Sequence, residues 1–267
     1  MVYKMGWQKA EKLVIKKLHI EFEMDNDTIH AVKGVSLEIP TGRITALVGE
    51  SGSGKSVTSL AVMDLLPENG RIREGEIWLK DKPLHLMGKK ERRQVNGRGV
   101  GMIFQDPGAS LDPLYTVGSQ ITEGIRMKKQ VSRKEAYRQG IFYLNAVNLP
   151  EPSRLMKMYP FELSGGMCQR VMIAMTIALS PDFLIADEPT TALDVTVQKQ
   201  ILSELYRLSR DENMGILLIT HDLGVVAEIA DYVYIMRQGQ IVEEADTAAL
   251  FHHPEQPYTR MLLDGIL

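Results

Sequence analysis

The segment Gly49–Ser56 has the residue types and the spacing of a phosphate-binding loop. Its sequence, GESGSGKS, matches the pattern G-x-x-x-x-G-K-[ST] at every fixed position. The glycines let the backbone curl so that successive N–H groups point at an anion. We expect Lys55 to reach the β- and γ-phosphates of the ligand and the Ser56 hydroxyl to ligate Mg²⁺. The chemistry predicted for this segment is phosphate binding.

The flanks of this loop predict the two elements that must hold it. Ile44–Val48 is rich in apolar and β-branched residues, as a buried parallel strand should be. Val57–Leu66 carries apolar residues at helical spacing and stops at Pro67. The alternative, a glycine-rich turn with a chance lysine, does not account for both flanks.

Two adjacent acids end a second apolar strand. Asp187 and Glu188 follow Phe183–Ala186 and precede Pro189. Ligands bind at the carboxyl ends of strands in α/β sheets, and neighbouring side chains of a strand diverge. We therefore expect Asp187 to hold Mg²⁺ through water, and Glu188 to act as the general base or to orient the attacking water. The alternative is a pair of solvated acids at a strand end.

Composition and charge exclude several classes of protein. The chain has 267 residues and a formal net charge of −3, which gives no general attraction to nucleic acid or to an anionic membrane. Cys168 is the single cysteine, so an intramolecular disulfide and an all-cysteine metal site are excluded. The first 18 residues lack the apolar core of a signal peptide, and no run approaches the roughly 18 apolar residues that span a bilayer. We expect a soluble protein of a reducing compartment that reaches a membrane only through partners.

The remaining pattern predicts one mixed α/β domain with a helical insertion. Leu13–Phe22 alternates and predicts an edge strand, and Ile29–Ile39 predicts a second, antiparallel strand. Helical periodicity runs from Val117 to about Met158, with Ser132–Glu135 as a capping box. The expected division is a core of residues 1–104 and 164–245, a helical subdomain of 105–163 and a short tail of 246–267.

The order of these motifs resembles the nucleotide-binding subunit of an ATP-binding cassette (ABC) transporter over nearly the whole chain. Leu163–Met167, LSGGM, resembles the signature that distinguishes ABC ATPases from other phosphate-loop enzymes. The usual fifth residue of that signature is glutamine, and here it is Met167. The resemblance implies an α/β phosphate-loop ATPase core with an antiparallel β subdomain and an inserted helical subdomain, and ATP and Mg²⁺ as cofactors.

The resemblance also implies roles for residues outside the phosphate loop. Gln105 would ligate Mg²⁺ and sense the transmembrane subunit, and His221 would touch the γ-phosphate. Phe22 would stack on adenine, and the loop Ala192-Leu193-Asp194 would cross to a partner subunit. The implied ATP contacts are Phe22, Gly49, Glu50, Ser51, Gly52, Ser53, Gly54, Lys55, Ser56, Val57, Gln105, Ser164, Gly165, Gly166 and Asp194. The implied catalytic residues are Glu188, His221 and Lys55, and the implied Mg²⁺ ligands are Ser56, Gln105 and Asp187.

The signature implies a site shared between two subunits. Ser164, Gly165 and Gly166 open a helix, so they offer a hydroxyl and backbone N–H groups to an anion. In the geometry of the family, that anion is the γ-phosphate held by a second subunit, so two ATP molecules lie between two subunits. ATP would close the dimer, and hydrolysis at Glu188 would reopen it.

Three further segments resemble the dipeptide, oligopeptide and nickel importer group. They are Gln105–Leu114, Tyr159–Met167 and His253–Arg260. Longer peptide importers carry a cysteine-containing C-terminal extension that does not follow here, so the short form resembles the nickel or metal-chelate importers. The implied partners are two membrane permease subunits, a second ATPase subunit that is a paralogue or a second copy, and indirectly an extracytoplasmic solute-binding protein. The implied location is the cytoplasmic face of the membrane.

Two other kinds of ABC ATPase are the alternatives. Those that act on DNA, RNA or ribosomes usually carry a long coiled coil or two cassettes in tandem; neither is present, and the chain is slightly acidic. We therefore expect no nucleic-acid partner. The segment Tyr159–Met167 and the tail argue against an exporter. The leading prediction is ATP hydrolysis coupled to uptake of nickel or a metal chelate, or of a di- or oligopeptide.

Overall fold

The computed structural model describes residues 11–24, 27–191 and 193–265. These divide into two compact units, one formed by the described parts of 1–94 and 208–267, the other by those of 95–207. Residues 1–10 are ten of the 18 N-terminal residues in which no signal peptide is expected, and they lie outside the described ranges. The division into core, helical subdomain and tail stays a prediction.

Strands and helices account for most of the described chain. The strands there are β1 (Lys12–Met24), β2 (Asp27–Pro40), β3 (Ile44–Val48), β4 (Gly70–Leu79), β5 (Lys82–Pro83), β6 (Val100–Ile103), β7 (Phe183–Asp187), β8 (Gly215–Thr220), β9 (Tyr232–Arg237) and β10 (Gln240–Asp246). The helices are α1 (Lys55–Met63), α2 (Lys89–Val95), α3 (Pro107–Ser110), α4 (Val117–Lys129), α5 (Arg133–Ala146), α6 (Pro152–Leu155), α7 (Gly165–Ala178), α8 (Val195–Asp211), α9 (Leu223–Ile229), α10 (Thr247–His252) and α11 (Pro257–Asp264).

An antiparallel sheet in the first unit has the strand order β2-β1-β4-β5. β1 pairs with both β2 and β4, so it is an interior strand and the prediction of an edge strand was wrong. Lys16 and Lys17 interrupt the alternation of β1, and both are exposed where the register shifts between Ile15 and Leu18. Lys17 has a left-handed backbone there, with φ of 45°. A bulge that exposes polar residues can therefore give an interior strand the sequence pattern of an edge strand.

A parallel arrangement in the same unit carries the phosphate loop. β3 pairs in parallel with β8 and β9, and β10 pairs antiparallel to β9. All five residues of β3 and all six of β8 are buried, as predicted for strands covered on both faces. Val48 lies opposite Thr220 and Ile235, so the loop after β3 and His221 after β8 leave the sheet at the same edge.

The second unit places three of the predicted site residues at one strand edge. β6 pairs in parallel with β7, and Ile103 lies opposite Ala186. Gln105 therefore follows β6 at the edge where Asp187 and Glu188 end β7. Paired parallel strands end at the same edge of a sheet. Gln105 and the two acids, which are 82 or more positions apart in the chain, therefore lie in the same region, although no contact between them was predicted from the sequence.

The helices of the second unit follow the predicted helical segment. α4, α5 and α6 lie between Val117 and Met158, as the periodicity predicted. Ser132 caps α5, since its Oγ accepts a hydrogen bond from the Glu135 N–H at 3.2 Å. The Glu135 carboxylate accepts from Gln139 Nε2 at 2.9 Å, so one half of the predicted capping box is seen. Within the described ranges, every helix is too short or too polar to cross a lipid bilayer.

The C-terminal helices pack against the strand that precedes the phosphate loop. Val48 of β3 and Ile235 of β9 share an apolar cluster with Leu250 of α10 and Tyr258 of α11. Leu262 and Leu263 cover the edge of this cluster. Burial of these side chains, worth about 1.5–3 kcal/mol each, docks the tail on the first unit.

Candidate functional site

The phosphate loop passes too close to its neighbours to admit side chains at two of its glycines. A Cβ on Gly49 would lie 2.1 Å from the Met236 carbonyl oxygen of β9. Gly54 has φ of 105°, and its Cβ would lie 2.7 Å from the Ala31 carbonyl oxygen. The N–H of Gly239 donates to the Ser53 carbonyl at 2.9 Å and fixes the far side of the loop. The loop is therefore held in shape by the β2 and β9–β10 backbone.

Lys55 lies inside this loop. Its ammonium donates to the carbonyl oxygens of Gly49 at 2.7 Å and Glu50 at 2.8 Å. The side chain is buried, and the same ammonium lies 3.5 Å from Ser53 Oγ. These oxygens hold a positive charge at the centre of the loop, where a phosphate oxygen would compete for its N–H groups.

Helix α1 presents its N-terminus to the same place. Its N-cap, Gly54, has no side chain, and no described side chain caps this end of the helix. The Gly54 carbonyl accepts from the N–H and the hydroxyl of Thr58, at 3.0 and 2.9 Å, which starts the helix at Lys55. Ser56 is in the first turn and is half-buried. The first-turn N–H groups and the helix dipole suit an anion.

The acidic pair sits at a strained turn. Asp187 ends β7 with 3% of its surface exposed, and Glu188 has a left-handed backbone with φ of 48°. Such a conformation costs a non-glycine residue about 1–3 kcal/mol and requires outside support. Gln169 of α7 supplies it, because its Nε2 donates to the Pro189 carbonyl at 2.5 Å and lies 3.5 Å from the Glu188 carbonyl. Gln169 was not predicted as a site residue; its sequence signal is a single glutamine among the buried apolar residues of α7.

The structure brings Gln105 and Glu188 together. Oε2 of Glu188 accepts from the Thr191 hydroxyl at 2.9 Å and from Gln105 Nε2 at 3.4 Å. These donors fix the direction of the carboxylate. Because Nε2 of Gln105 faces Glu188, the amide oxygen is the atom that a hard cation would use.

The predicted ligands fit Mg²⁺ in their chemistry. Asp187 offers a carboxylate, Gln105 an amide oxygen and Ser56 a hydroxyl, and all three are hard oxygen donors. Mg²⁺ usually binds through one or two carboxylates together with substrate phosphates and water, and each of these donors is of a kind that this ion accepts.

The signature residues open helix α7. Ser164 is the N-cap, and its Oγ accepts from the Met167 N–H at 3.3 Å. Ser164 and Gly165 are exposed, and a Cβ on Gly165 would meet nothing within 4 Å. Met167 contributes its backbone N–H to this cap, so the departure from glutamine leaves the cap intact. A hydroxyl that accepts from the helix still has its own proton for an anion.

Two other predicted site residues, His221 and Asp194, lie at or beside the N-termini of helices. His221 is exposed after β8, and the next residue, Asp222, caps α9 through the N–H groups of Gly224 and Val225. Asp194 caps α8, since its Oδ1 accepts from the N–H groups of Thr196 and Val197 at 3.1 and 3.0 Å. Ala192 of the predicted crossing loop lies outside the described residues.

Phe22 lies on β1 and is half-buried. Its ring lies over Gly70 of β4, where an added Cβ would come within 2.7 Å of Cε1. One face of the ring is thus covered by the sheet. Stacking of the ring on adenine stays a prediction.

A model of the family described as "ABC transporter" matches residues 32–191, more than half of the chain. The chain belongs to the ABC transporter family. The dipeptide transport ATP-binding protein DppD of Escherichia coli K12 is 47% identical over 254 residues, which cover 95% of this chain and 78% of that protein. The glutathione import ATP-binding protein GsiA of the same organism is 46% identical over 260 residues, which cover 95% of this chain and 42% of that longer protein.

Solved ABC cassettes share the fold. The dimeric post-hydrolysis state of the cassette MJ0796 bound to ADP and Pi superposes with a TM-score of 0.81 at 26% identity, covering 88% of this chain and 98% of that one. CbiO1 from Clostridium perfringens, part of the transporter complex CbiONQ, gives a TM-score of 0.74 at 25% identity, covering 92% of each chain. The predicted ABC-type α/β fold and the resemblance to the peptide and nickel importer group are confirmed. The chain is an ATP-binding, ATP-hydrolysing subunit of an ABC importer.

Proposed function

We propose that this ATPase energises uptake of a dipeptide or another short peptide, with nickel or another metal chelate as the alternative cargo. The observation that carries the proposal is the 47% identity to a dipeptide transport ATPase over 95% of the chain. Gln105–Leu114 and Tyr159–Met167, two of the three segments that resemble the importer group, fall within any match of this length. The subunit would work at the cytoplasmic face of the membrane.

The phosphate loop and the acids supply the groups that hydrolysis needs. Lys55 and the N–H groups of α1 would bind the β- and γ-phosphates of ATP. Ser56, Gln105 and Asp187 would hold Mg²⁺, which neutralises charge on the β- and γ-oxygens when it is bound. Glu188, fixed in direction by its hydrogen bonds, would accept a proton from the attacking water. His221 would contact the γ-phosphate.

A second subunit would complete each site. Ser164, Gly165 and Gly166 form an exposed helix N-terminus, and we propose that it binds the γ-phosphate held by the partner, a paralogue or a second copy. The dimeric state of MJ0796 supports this arrangement for the family. With ATP present, the Glu188→Gln variant should accumulate as a closed dimer, because binding continues while hydrolysis stops. Sedimentation of this variant with ATP and with ADP distinguishes closure by ATP from constitutive association.

An exposed apolar patch of the second unit supports docking to a permease. We call the side chains of Leu114, Tyr115, Tyr159 and Phe161 the apolar patch. Leu114 is 80% and Phe161 74% exposed, and the rings of Tyr159 and Phe161 stack with centroids 5.5 Å apart. The N–H of Val117 donates to the Met158 carbonyl at 2.9 Å, which brings the two segments side by side. Exposed large apolar groups gathered in this way mark interaction sites.

Charged substitutions separate this patch from ordinary exposed residues. Leu114→Glu and Phe161→Glu should each prevent co-purification with permease subunits. Phe142→Glu is the matched control, because Phe142 is 65% exposed on α5 and lies outside the patch. Equal loss in all three variants, or in none, contradicts the assignment of this surface.

The cargo is tested by ATP hydrolysis in the reconstituted complex with its solute-binding protein. We expect several-fold stimulation when the binding protein is loaded with a dipeptide, and none with the unloaded protein. Stimulation by a nickel chelate and not by peptides would replace the peptide by the alternative cargo. Stimulation by neither, in a complex that hydrolyses ATP, would contradict the proposal of import for both solutes.

A further inference from the structure

One peptide group of the phosphate loop is held from both ends. The carbonyl oxygen of the Gly49–Glu50 peptide accepts from Lys55 Nζ at 2.7 Å. The N–H of the same peptide donates to the hydroxyl of Tyr258, with a distance of 3.2 Å between Glu50 N and Tyr258 Oη. A peptide is planar, so a rotation that breaks one of these hydrogen bonds also displaces the other. Tyr258 and Lys55 therefore fix the orientation of one rigid group.

The Tyr258 hydroxyl stays protonated at neutral pH. Burial, above all, raises the pKa of Tyr258 above its ordinary value. A phenol oxygen can accept a hydrogen bond as well as donate one, so it accepts from the Glu50 N–H.

The ring of Tyr258 is itself immobilised. It is 5% exposed and belongs to the apolar cluster with Val48 and Leu250. The guanidinium of Arg237, at the end of β9, lies 4.6 Å from the ring centroid. A cation over an aromatic face adds an attraction to the packing. The hydroxyl is thus held in place by the elements that surround the loop.

Helix α11 is tied to the same hairpin. The carboxylate of Glu243 on β10 accepts from the N–H groups of Glu255 at 2.7 Å and Gln256 at 3.0 Å, immediately before α11. A negative charge at the N-terminus of a helix stabilises that helix. Because β9 contacts Gly49 and β10 anchors α11, the tail and the loop rest on one β9–β10 hairpin.

We propose that Tyr258 is a positioning residue of the phosphate loop, which orients the Gly49–Glu50 peptide and through it Lys55, so that docking of α11 sets the affinity for ATP. The inference rests on the proposed role of Lys55 in binding ATP. It gives the C-terminal tail a part in nucleotide binding and not only in covering the core.

The test is the dissociation constant of ATP, measured by calorimetry on the full chain, for wild type and Tyr258→Phe. The variant keeps the ring and removes the hydroxyl. We expect ATP to bind about 3- to 10-fold more weakly, the change that follows from one lost hydrogen bond. In the assembled importer, KM for ATP should rise by the same factor and kcat should stay within twofold.

The chain offers a matched control. Tyr234 is 6% exposed, and its Oη accepts from the Glu38 N–H at 3.2 Å, the same kind of contact made to a strand residue and not to a residue of the phosphate loop. Tyr234→Phe should lower the melting temperature as much as Tyr258→Phe and leave the affinity for ATP unchanged. Exchange of the Glu50 amide with deuterium should accelerate in Tyr258→Phe alone.

Two outcomes would contradict the inference. Unchanged ATP affinity in Tyr258→Phe overturns it, and so does an equal loss in Tyr234→Phe, which would show a general effect on folding. Lys55→Ala separates this failure from failure of the proposed function: normal ATP affinity in Lys55→Ala overturns the role of the loop itself. Loss of affinity in Lys55→Ala with none in Tyr258→Phe overturns only the role of Tyr258.

Discussion

The amide nitrogen of Gln105 lies 3.4 Å from Oε2 of Glu188, and this contact joins two residues that come from different strands of the second unit. Gln105 follows β6, and Glu188 follows β7. A residue expected to sense the membrane subunit thus touches the expected general base. Movement of the segment after β6 would change the direction of the carboxylate, which offers a physical route from the permease to hydrolysis.

The support of Glu188 by Gln169 predicts a selective loss of turnover. Gln169→Leu keeps the volume at a buried position and removes the N–H groups that hold the Pro189 carbonyl. The left-handed turn at Glu188 then loses its restraint, so kcat should fall about 10-fold while ATP affinity stays within twofold. ATP turnover and equilibrium ATP binding in the purified complex measure the two quantities. Equal losses in both, or none in kcat, would show that Gln169 does not act on Glu188.

The close approach of Gly49 to β9 predicts a large cost of folding. In Gly49→Ala, the new Cβ would lie 2.1 Å from the Met236 carbonyl oxygen, so the loop or the strand must shift. We expect a loss of about 2–4 kcal/mol in the free energy of unfolding. Gly165→Ala is the control, because its Cβ meets nothing within 4 Å and should change stability by less than about 0.5 kcal/mol. Urea unfolding compares the two, and similar stabilities would contradict the described loop geometry.

Docking of the tail should weaken in acid. Burial would raise the pKa of Glu243, but hydrogen bonds from the N–H groups of Glu255 and Gln256, with the charge of Arg260, lower it from its ordinary value. A lowered folded-state pKa contributes stability that is fully present above the unfolded value and is lost as pH falls through the folded value. The stability difference between wild type and Glu243→Gln should therefore be constant at pH 6–8 and shrink below about pH 4.5. Thermal unfolding across this range measures it, and a difference that grows in acid would contradict the contact.

The sequence alone was sufficient to predict the structure where a single segment contains the whole pattern. Gly49–Ser56 with its strand and helix, and the acids at the end of β7, are local patterns. Strands β3 and β7 formed where they were expected, and α1 begins two residues earlier and ends three residues earlier than the predicted Val57–Leu66. Continuous apolar runs predict strands buried on both faces, and β3, β7 and β8 are such strands.

The rest depends on neighbours that the sequence does not name. β1 was predicted to be an edge strand because its exposed lysines are typical of an edge, and the sequence does not show that β4 pairs with it. Glu50 and Tyr258 form a hydrogen bond although they are 208 residues apart in the chain. From the sequence alone, a tyrosine beside the apolar residues of α11 predicts only burial. Gln169 is a second example, since its side-chain amide donates to the carbonyl of Pro189, which lies 20 residues later in the chain. Contacts of this kind follow from the fold as a whole.

The most direct test of the central claim is ATP hydrolysis by the reconstituted importer that contains Glu188→Gln. Glu204→Gln is the control, since Glu204 pairs with Arg207 in a surface salt bridge. We expect Glu188→Gln to bind ATP with wild-type affinity and to release phosphate at least 100-fold more slowly, with no stimulation by a dipeptide-loaded binding protein. Glu204→Gln should match wild type. Phosphate release by Glu188→Gln at a near wild-type rate would contradict the account.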